Sequence, residues 1–206
     1  DSDDYLFNNS LIKLKNIILK NGSPDAIINN WERSTPRSMK LMKYFNNKIK
    51  KRDKFLSIIN KNKIVLDVCW SLVISKKTIT KNKIYFSDIK IAEDIVFINK
   101  IYISMKTIVY NKNPLLFHRN RPDSLKHTVS AEAIYASVIC MAELCKLLKK
   151  YFYDKKVKEL LIFRILKVIF FLGSYIILLD KKEPIKLSKE NISEIKKLSI
   201  LKKVNS

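Results

Sequence analysis

An acidic pair, Glu93 and Asp94, stands at the head of an apolar repeat. Apolar side chains recur behind it at three- and four-residue steps, which predicts a helix with one buried face that begins near residue 88 or 92. Both carboxylates then lie in its first turn, where the positive end of the helix dipole favours the ionised form that a general base needs. Two interpretations are open: a catalytic base, or acids that only complement the dipole.

A strand and a basic loop follow this helix. Residues 106–110 are rich in β-branched side chains and predict a strand, which Asn113 and Pro114 are expected to break. The loop predicted behind them, residues 115–124, carries three basic side chains: His118, Arg119 and Arg121. A carboxylate followed by a strand and a loop that suits phosphate indicates a group-transfer site.

A second acidic cluster opens the chain with Asp1, Asp3 and Asp4. Hard divalent cations prefer oxygen ligands, and Mg²⁺ or Mn²⁺ that bridges a diphosphate needs only one or two carboxylates from the protein. The cluster is therefore either a metal site or an acidic segment in solvent.

Five segments of the chain together resemble one family. EDIVF, KTIVYNKNPLLFHR and RPDSL resemble the ED-x-x-F, strand, Leu-[Tyr/Phe]-x-Arg and Ser-[Ile/Leu] succession of bacterial family-2 glycosyltransferases. DSDDYL is similar to the Asp-x-Asp motif of that family, and DVCWSLVISKKTI is similar to its Trp-x-x-[Leu/Ile]-[Phe/Tyr/Val]-x-[Arg/Lys] segment. No one motif is specific alone, but their order and spacing over about 125 residues are.

The resemblance implies a GT-A-type fold and an inverting transfer from a nucleotide-sugar donor. Asp94 would accept the proton of an acceptor hydroxyl, and Asp3 would bind a Mn²⁺ or Mg²⁺ ion. Asp1 would contact the donor or the metal. Arg119 and Arg121 would bind the diphosphate, because a guanidinium fork matches phosphate oxygens in pairs.

The same resemblance assigns Glu93 and Trp70 to the acceptor side and leaves open whether His118 is a further metal ligand. It implies a glycan or lipid-linked acceptor in surface polysaccharide or lipopolysaccharide synthesis. Such an enzyme is expected in the cytoplasm, peripheral on the inner face of the membrane. Family members carry a nucleotide-binding half before the Asp-x-Asp motif, so we expect that half to be missing from this chain and residues 1–206 to be inactive alone.

Charge and cysteine content limit the partners. The chain has 41 Lys and Arg against 19 Asp and Glu, a formal charge of +22, so its partners are expected to be anionic. Nucleic acid is disfavoured, because aromatic side chains are not interleaved with the lysines for base stacking. The three cysteines have no metal-ligand spacing and suit free thiols in a reducing compartment.

Periodicity predicts an α/β region followed by an all-helical one, with domains at 1–125 and 126–206. In the first we expect a helix at 8–21 with Gly22 just past its end, a strand at 26–31, a long helix from Thr35 toward Asn60 and a strand at 82–86. In the second we expect helices at 130–153, 160–179 and 188–203.

The apolar helix at 160–179 is flanked by lysines, and Arg164 and Lys167 lie within it. Two cations would be expensive at the centre of a bilayer, so a packed hairpin or a helix on an anionic membrane surface is expected rather than a span. A different class of function is a basic helical module without chemistry, which binds nucleic acid or anionic membrane. Such a module would lose affinity steeply with salt whether or not a sugar nucleotide is present.

Overall fold

The computed structural model describes residues 4–33, 50–66, 68–89, 92–118 and 130–180. These residues form a mixed α/β fold with a curled sheet and a helical C-terminal part. The chain divides into two compact units, Asp1–Tyr85 with Phe97–Pro122 and Phe86–Val96 with Asp123–Ser206.

The sheet belongs to the first unit. Its strands are β1 (Tyr5–Leu6), β2 (Ala26–Arg33), β3 (Lys50–Lys51), β4 (Leu72–Ile74) and β5 (Thr107–His118). Their order in the sheet is β1-β5-β2-β4, and β3 also pairs with β5. β2 and β5 are parallel, whereas β1 and β3 pair antiparallel with β5, and β4 pairs antiparallel with β2. β2 and β5 therefore form the centre of the sheet, and the three shorter strands extend it.

The helices are α1 (Ser10–Lys20), α2 (Arg52–Lys61), α3 (Lys76–Lys81), α4 (Glu93–Ser104), α5 (Ala131–Lys150) and α6 (Lys155–Asp180). Local sequence explains several of their ends. Gly22 follows α1 at φ 63°, the left-handed conformation that glycine adopts without strain. Ser130 caps α5, because its hydroxyl accepts a hydrogen bond from the Ala133 N–H. The helices predicted at 8–21, 130–153 and 160–179 are confirmed.

The core of the first unit lies where α2 and the end of α4 meet the sheet. Phe55 of α2 and Tyr102 of α4 are fully buried, with ring centroids 5.0 Å apart in an edge-on contact. The Tyr102 hydroxyl donates to the Leu66 carbonyl at 3.0 Å. An aromatic side chain can be buried there because its one polar group has a partner.

Three predicted elements are wrong. The predicted long helix toward Asn60 does not include Lys50–Lys51, because these two residues form β3 against β5 and α2 begins at Arg52. Residues 34–49, which the same prediction covers in part, lie outside the described residues. The strand predicted at 82–86 is absent from the described sheet. Its first residues close α3 instead, because the Asn82 side chain donates to the Thr78 carbonyl and the Ile84 N–H to the Ile79 carbonyl.

The third error concerns β5, which Asn113 and Pro114 do not end. β5 continues to His118, and its register against β2 shifts between Asn29 and Trp31. The shift places extra residues in β5, and a proline is tolerated in such a bulge because its missing N–H is not needed for the ladder. The first four residues of the loop predicted at 115–124 are thus strand, and the helix predicted at 188–203 lies outside the described residues.

Asp25, just before β2, joins the beginnings of β2, α3 and β5. Its carboxylate accepts hydrogen bonds from the Lys106 and Thr107 N–H groups at 2.7 and 3.0 Å and from the Thr78 hydroxyl at 3.0 Å. Its carbonyl accepts from the Ser75 N–H. Partial burial alone would raise the pKa of this carboxyl, but these donors together hold the pKa below its usual value.

We expect Asp25→Asn to lower the free energy of unfolding by about 1–2 kcal/mol at pH 7, because the hydrogen bonds to an ionised acceptor are weakened. A depressed folded-state pKa stabilises the protein above the unfolded pKa of about 3.9 and loses that effect as pH falls. Urea unfolding from pH 7 to 3 should therefore show the gap between the two proteins closing below about pH 4. The exposed Asp88 gives the control, and Asp88→Asn with an equal or larger loss would contradict this role for Asp25.

Candidate active site

The C-terminal end of β5 meets the beginning of the described chain. Tyr5 pairs with Phe117, and their rings stack with centroids 4.9 Å apart. The Leu115 carbonyl accepts from both the Phe7 N–H and the Ser10 hydroxyl, at 3.1 and 2.8 Å. β1 and the start of α1 are thereby fixed beside the last residues of β5.

Asparagine side chains hold the bulge that directs this end of β5. The Asn111 amide donates to Asn29 Oδ1 at 3.2 Å and to the Asn113 carbonyl at 2.9 Å, and its oxygen accepts from the Asn113 N–H. The Asn30 amide donates to the Lys112 carbonyl at 3.1 Å. Since bulge residues leave the regular ladder, these bonds satisfy backbone groups that would otherwise lose partners.

Asp4 and His118 form the polar centre of the site. Nδ1 of His118 lies 3.1 Å from Oδ1 and 3.2 Å from Oδ2 of Asp4. The Asp4 side chain is 5% exposed and that of His118 is 14% exposed. This nearly buried carboxylate fixes the orientation of the imidazole and, because both contacts use Nδ1, leaves Nε2 for another ligand.

Trp70 covers the histidine from the side of β4. It lies in a short 3-10 turn, Cys69–Ser71, which the Ser71 hydroxyl closes by donating to the Val68 carbonyl. The indole stacks on the His118 ring with centroids 4.3 Å apart and an interplanar angle of 16°. We call Asp4, Trp70 and His118 the 4–70–118 cluster.

A carboxylate bonded to one nitrogen of a histidine is the arrangement that commonly orients a metal-ligating imidazole. Within the described ranges, no group of three or more His, Cys, Asp or Glu side chains could hold a metal ion. Asp1 and Asp3, which the resemblance assigns to the metal, lie outside the described residues, as do Arg119 and Arg121. The chain connects both pairs directly to the cluster, to Asp4 and to His118 respectively.

Glu93 and Asp94 occupy the first turn of α4, as predicted. Ala92, just before the helix, has a φ of 63°. This turn belongs to the second compact unit, whereas the 4–70–118 cluster belongs to the first.

Several clefts lie in the first unit. One of about 60 Å³ borders Trp70 together with Leu6, Ser10 and Leu116. Another, of about 280 Å³, lies between α1 and β5 and is lined by Lys13, Lys20 and several asparagines. A third, of about 590 Å³, borders Tyr5 and Leu6 of β1. Of the residues predicted from the sequence to act on a substrate, Trp70 lines the smallest of these three clefts, which therefore adjoins the candidate site.

Comparison with known proteins identifies structural neighbours. The crystal structure of S. aureus TarS residues 1–349 in complex with UDP-GlcNAc matches with a TM-score of 0.52 and 21% identity, over 70% of this chain and 41% of that chain. TarS 1–349 in another crystal structure matches with a TM-score of 0.50 and 18% identity, over 70% and 39%. TarS is a glycosyltransferase. The chain has a glycosyltransferase-like fold.

The chain spans about two fifths of the length of the TarS chains it matches. No family model matches it, and no curated protein does. The structure and these structural neighbours confirm the predicted α/β fold class with a helical C-terminal region.

The contact of Asp4 with His118 was not predicted. Asp4 appeared only as one member of an acidic segment, and His118 only as an open candidate for metal binding. The two residues are 114 positions apart, and no periodicity in either segment indicates that they pair. The available signal was their residue types: a carboxylate and a histidine, each within a segment that resembles the same family.

A double-mutant cycle tests the Asp4–His118 contact. We expect Asp4→Asn and His118→Gln each to destabilise the protein and the double variant to be less destabilised than the sum, with a coupling energy of about 1 kcal/mol or more, because the pair is nearly buried. Urea unfolding measures all four proteins.

The exposed ion pair between Glu143 and Lys146, 2.7 Å apart, is the matched control. Its coupling energy should be no more than about 0.5 kcal/mol. Strictly additive effects of Asp4→Asn and His118→Gln would show that the two side chains do not interact in solution.

Proposed function

We propose that this chain belongs to a glycosyltransferase that moves a sugar from a nucleotide-activated donor to an acceptor hydroxyl with inversion. The observation that carries the proposal is the 4–70–118 cluster, which lies in a glycosyltransferase-like fold and is continuous in sequence with the acidic segment at Asp1–Asp3 and with Arg119 and Arg121. TarS, a protein of similar fold, binds UDP-GlcNAc. A UDP-sugar is therefore the first donor to test.

In this proposal Asp94 acts as the general base. It accepts the proton of the acceptor hydroxyl as that oxygen forms a bond to the anomeric carbon, and the bond from that carbon to the diphosphate oxygen breaks with its electron pair leaving on the diphosphate. Attack from the face opposite the leaving group inverts the anomeric centre. Glu93, the next residue, orients the acceptor, and Trp70 supplies a flat apolar wall on which a sugar ring can rest.

The leaving diphosphate needs positive charge. Arg119 and Arg121 would bind its oxygens in pairs. Asp3 and Asp1 would hold a divalent cation, with Nε2 of His118 as a further ligand that Asp4 orients. A nitrogen ligand beside carboxylates suits Mn²⁺ better than Mg²⁺. When bound, such a cation neutralises charge on the diphosphate as a Lewis acid.

The physiological setting is also a proposal. An acceptor that is a glycan or a lipid-linked glycan would place the reaction in surface polysaccharide or lipopolysaccharide synthesis at the cytoplasmic face of the membrane. The formal charge of +22 fits an enzyme whose substrates carry phosphate.

The test is UDP release from UDP-GlcNAc in the presence of Mn²⁺, by the natural polypeptide that contains residues 1–206. Without an acceptor, a water molecule takes the place of the acceptor hydroxyl as the nucleophile. We expect Asp94→Asn to lower this rate about a hundredfold or more, because the base that accepts the proton of that water is lost. Titration calorimetry should find donor affinity unchanged. Glu93→Gln should have a smaller effect.

Asp88→Asn, a change of the same chemistry at an exposed position just before α4, is the control and should retain full activity. An Asp94→Asn protein as active as the parent would remove Asp94 from the mechanism. Binding of UDP-GlcNAc that is insensitive both to Mn²⁺ and to His118→Gln would count against the proposed metal and donor site.

A further inference from the structure

The outward side of α6 is apolar over two turns. Ile162, Leu166, Ile169 and Phe170 follow one another at helical spacing and are all exposed, Phe170 to 71%. Phe171 beside them is also exposed. A helix that faces water normally carries polar side chains on this side.

The inward side of the same helix packs on α5. Val157, Leu160, Leu161 and Val168 are buried there. Arg164 is also on this side and is 0% exposed, with its guanidinium 5.7 Å from the centroid of the Phe163 ring. A cation is therefore buried on the inward side of α6 and an apolar stripe is exposed on its outward side. Surface helices usually bury apolar side chains and expose charged ones.

Lysines and aromatic side chains surround the turn between α5 and α6. Tyr153 is 98% exposed, and Phe152 next to it is about half exposed. The ammonium group of Lys158 lies 4.6 Å from the centroid of the Phe152 ring. Four further lysines flank the turn: Lys149, Lys150, Lys155 and Lys156. Amphipathic aromatic rings beside lysines are typical of segments that lie at the boundary between lipid headgroups and acyl chains.

We propose that the outward face of α6 and the α5–α6 turn form a surface that lies on an anionic bilayer, with α6 in the plane of the interface. The outward stripe would enter the acyl boundary while the lysines contact anionic headgroups. Within the described ranges, no helix has the length and apolarity required to cross a membrane, so an in-plane helix is the membrane arrangement that fits.

Charge selects the lipid over a second copy of the chain. A symmetric dimer through this face with its two α6 helices parallel would bring two lysine-rich turns close together, and like charges across an interface are unfavourable. With the helices antiparallel, neither turn would face an anionic surface. An anionic headgroup layer neutralises the same lysines. This inference concerns the second compact unit alone and does not depend on glycosyl transfer.

Co-sedimentation with vesicles of phosphatidylcholine and phosphatidylglycerol tests the proposal. The protein should bind these vesicles at low salt, bind neutral phosphatidylcholine vesicles far less and be released by added salt. The double variant Leu166→Gln/Phe170→Gln should bind at least tenfold more weakly, because it lacks two apolar side chains that move from water into the bilayer when the protein binds. Both positions are exposed, so the fold should tolerate the change.

Two further variants separate the contributions. Leu11→Gln/Leu19→Gln removes equally exposed apolar side chains from α1, in the first unit, and should bind vesicles like the parent. Lys149→Gln/Lys155→Gln should lower binding about fivefold for each lysine removed.

Three results would overturn the proposal. The first is a lack of binding to anionic vesicles at low salt. The second is binding that Leu166→Gln/Phe170→Gln leaves unchanged. The third is a lipid-free dimer, seen by light scattering, that this double variant dissociates, because the outward face would then be covered by a second copy of the chain.

Discussion

The parallel pairing of β2 with β5 is the constraint on which the site depends. Parallel strands need a long connection, and here paired positions of β2 and β5 are about 80 residues apart in the sequence. Asp25 fixes the beginning of both strands, and the Asn29–Asn111 contact fixes the register where β5 bulges. Because the register is fixed before the bulge, the position of His118 beyond it is also determined.

The same pairing brings three distant segments together. β4 pairs with the other edge of β2, so the turn that carries Trp70 comes from that side. β1 pairs with the last residues of β5 and brings Asp4 from the opposite side. His118, at the end of β5, contacts both side chains. A polar contact between residues 114 positions apart thus arises from strand pairing, and no strong local preference is required.

Features set by short-range physics could be predicted from the sequence. The start of α5 near residue 130, the glycine after α1 and the acidic first turn of α4 each depend on neighbours within a few positions, and all three are present. The two-residue strand Lys50–Lys51 could not be predicted, because its extended conformation is set by its partner β5 and not by its own side chains. Asn113 and Pro114 form a standard break signal, but β5 continues past them because the asparagine contacts hold the bulge and β1 and β2 pair with the residues beyond it.

Some features of the candidate site could likewise be predicted from the sequence, and others could not. Residue types and motif order singled out Trp70, His118 and the acidic segment, because each lies in a motif that resembles one family. The contacts among these residues could be known only from the fold, since Asp4 had no local feature to distinguish it from Asp1 and Asp3.

The central claim is that the 4–70–118 cluster forms one wall of a nucleotide-sugar site. The most direct measurement is anomalous diffraction from crystals of the natural polypeptide grown with UDP-GlcNAc and Mn²⁺. The account predicts a manganese peak next to Nε2 of His118 with the diphosphate beside it, and manganese and UDP bound away from the cluster would contradict it.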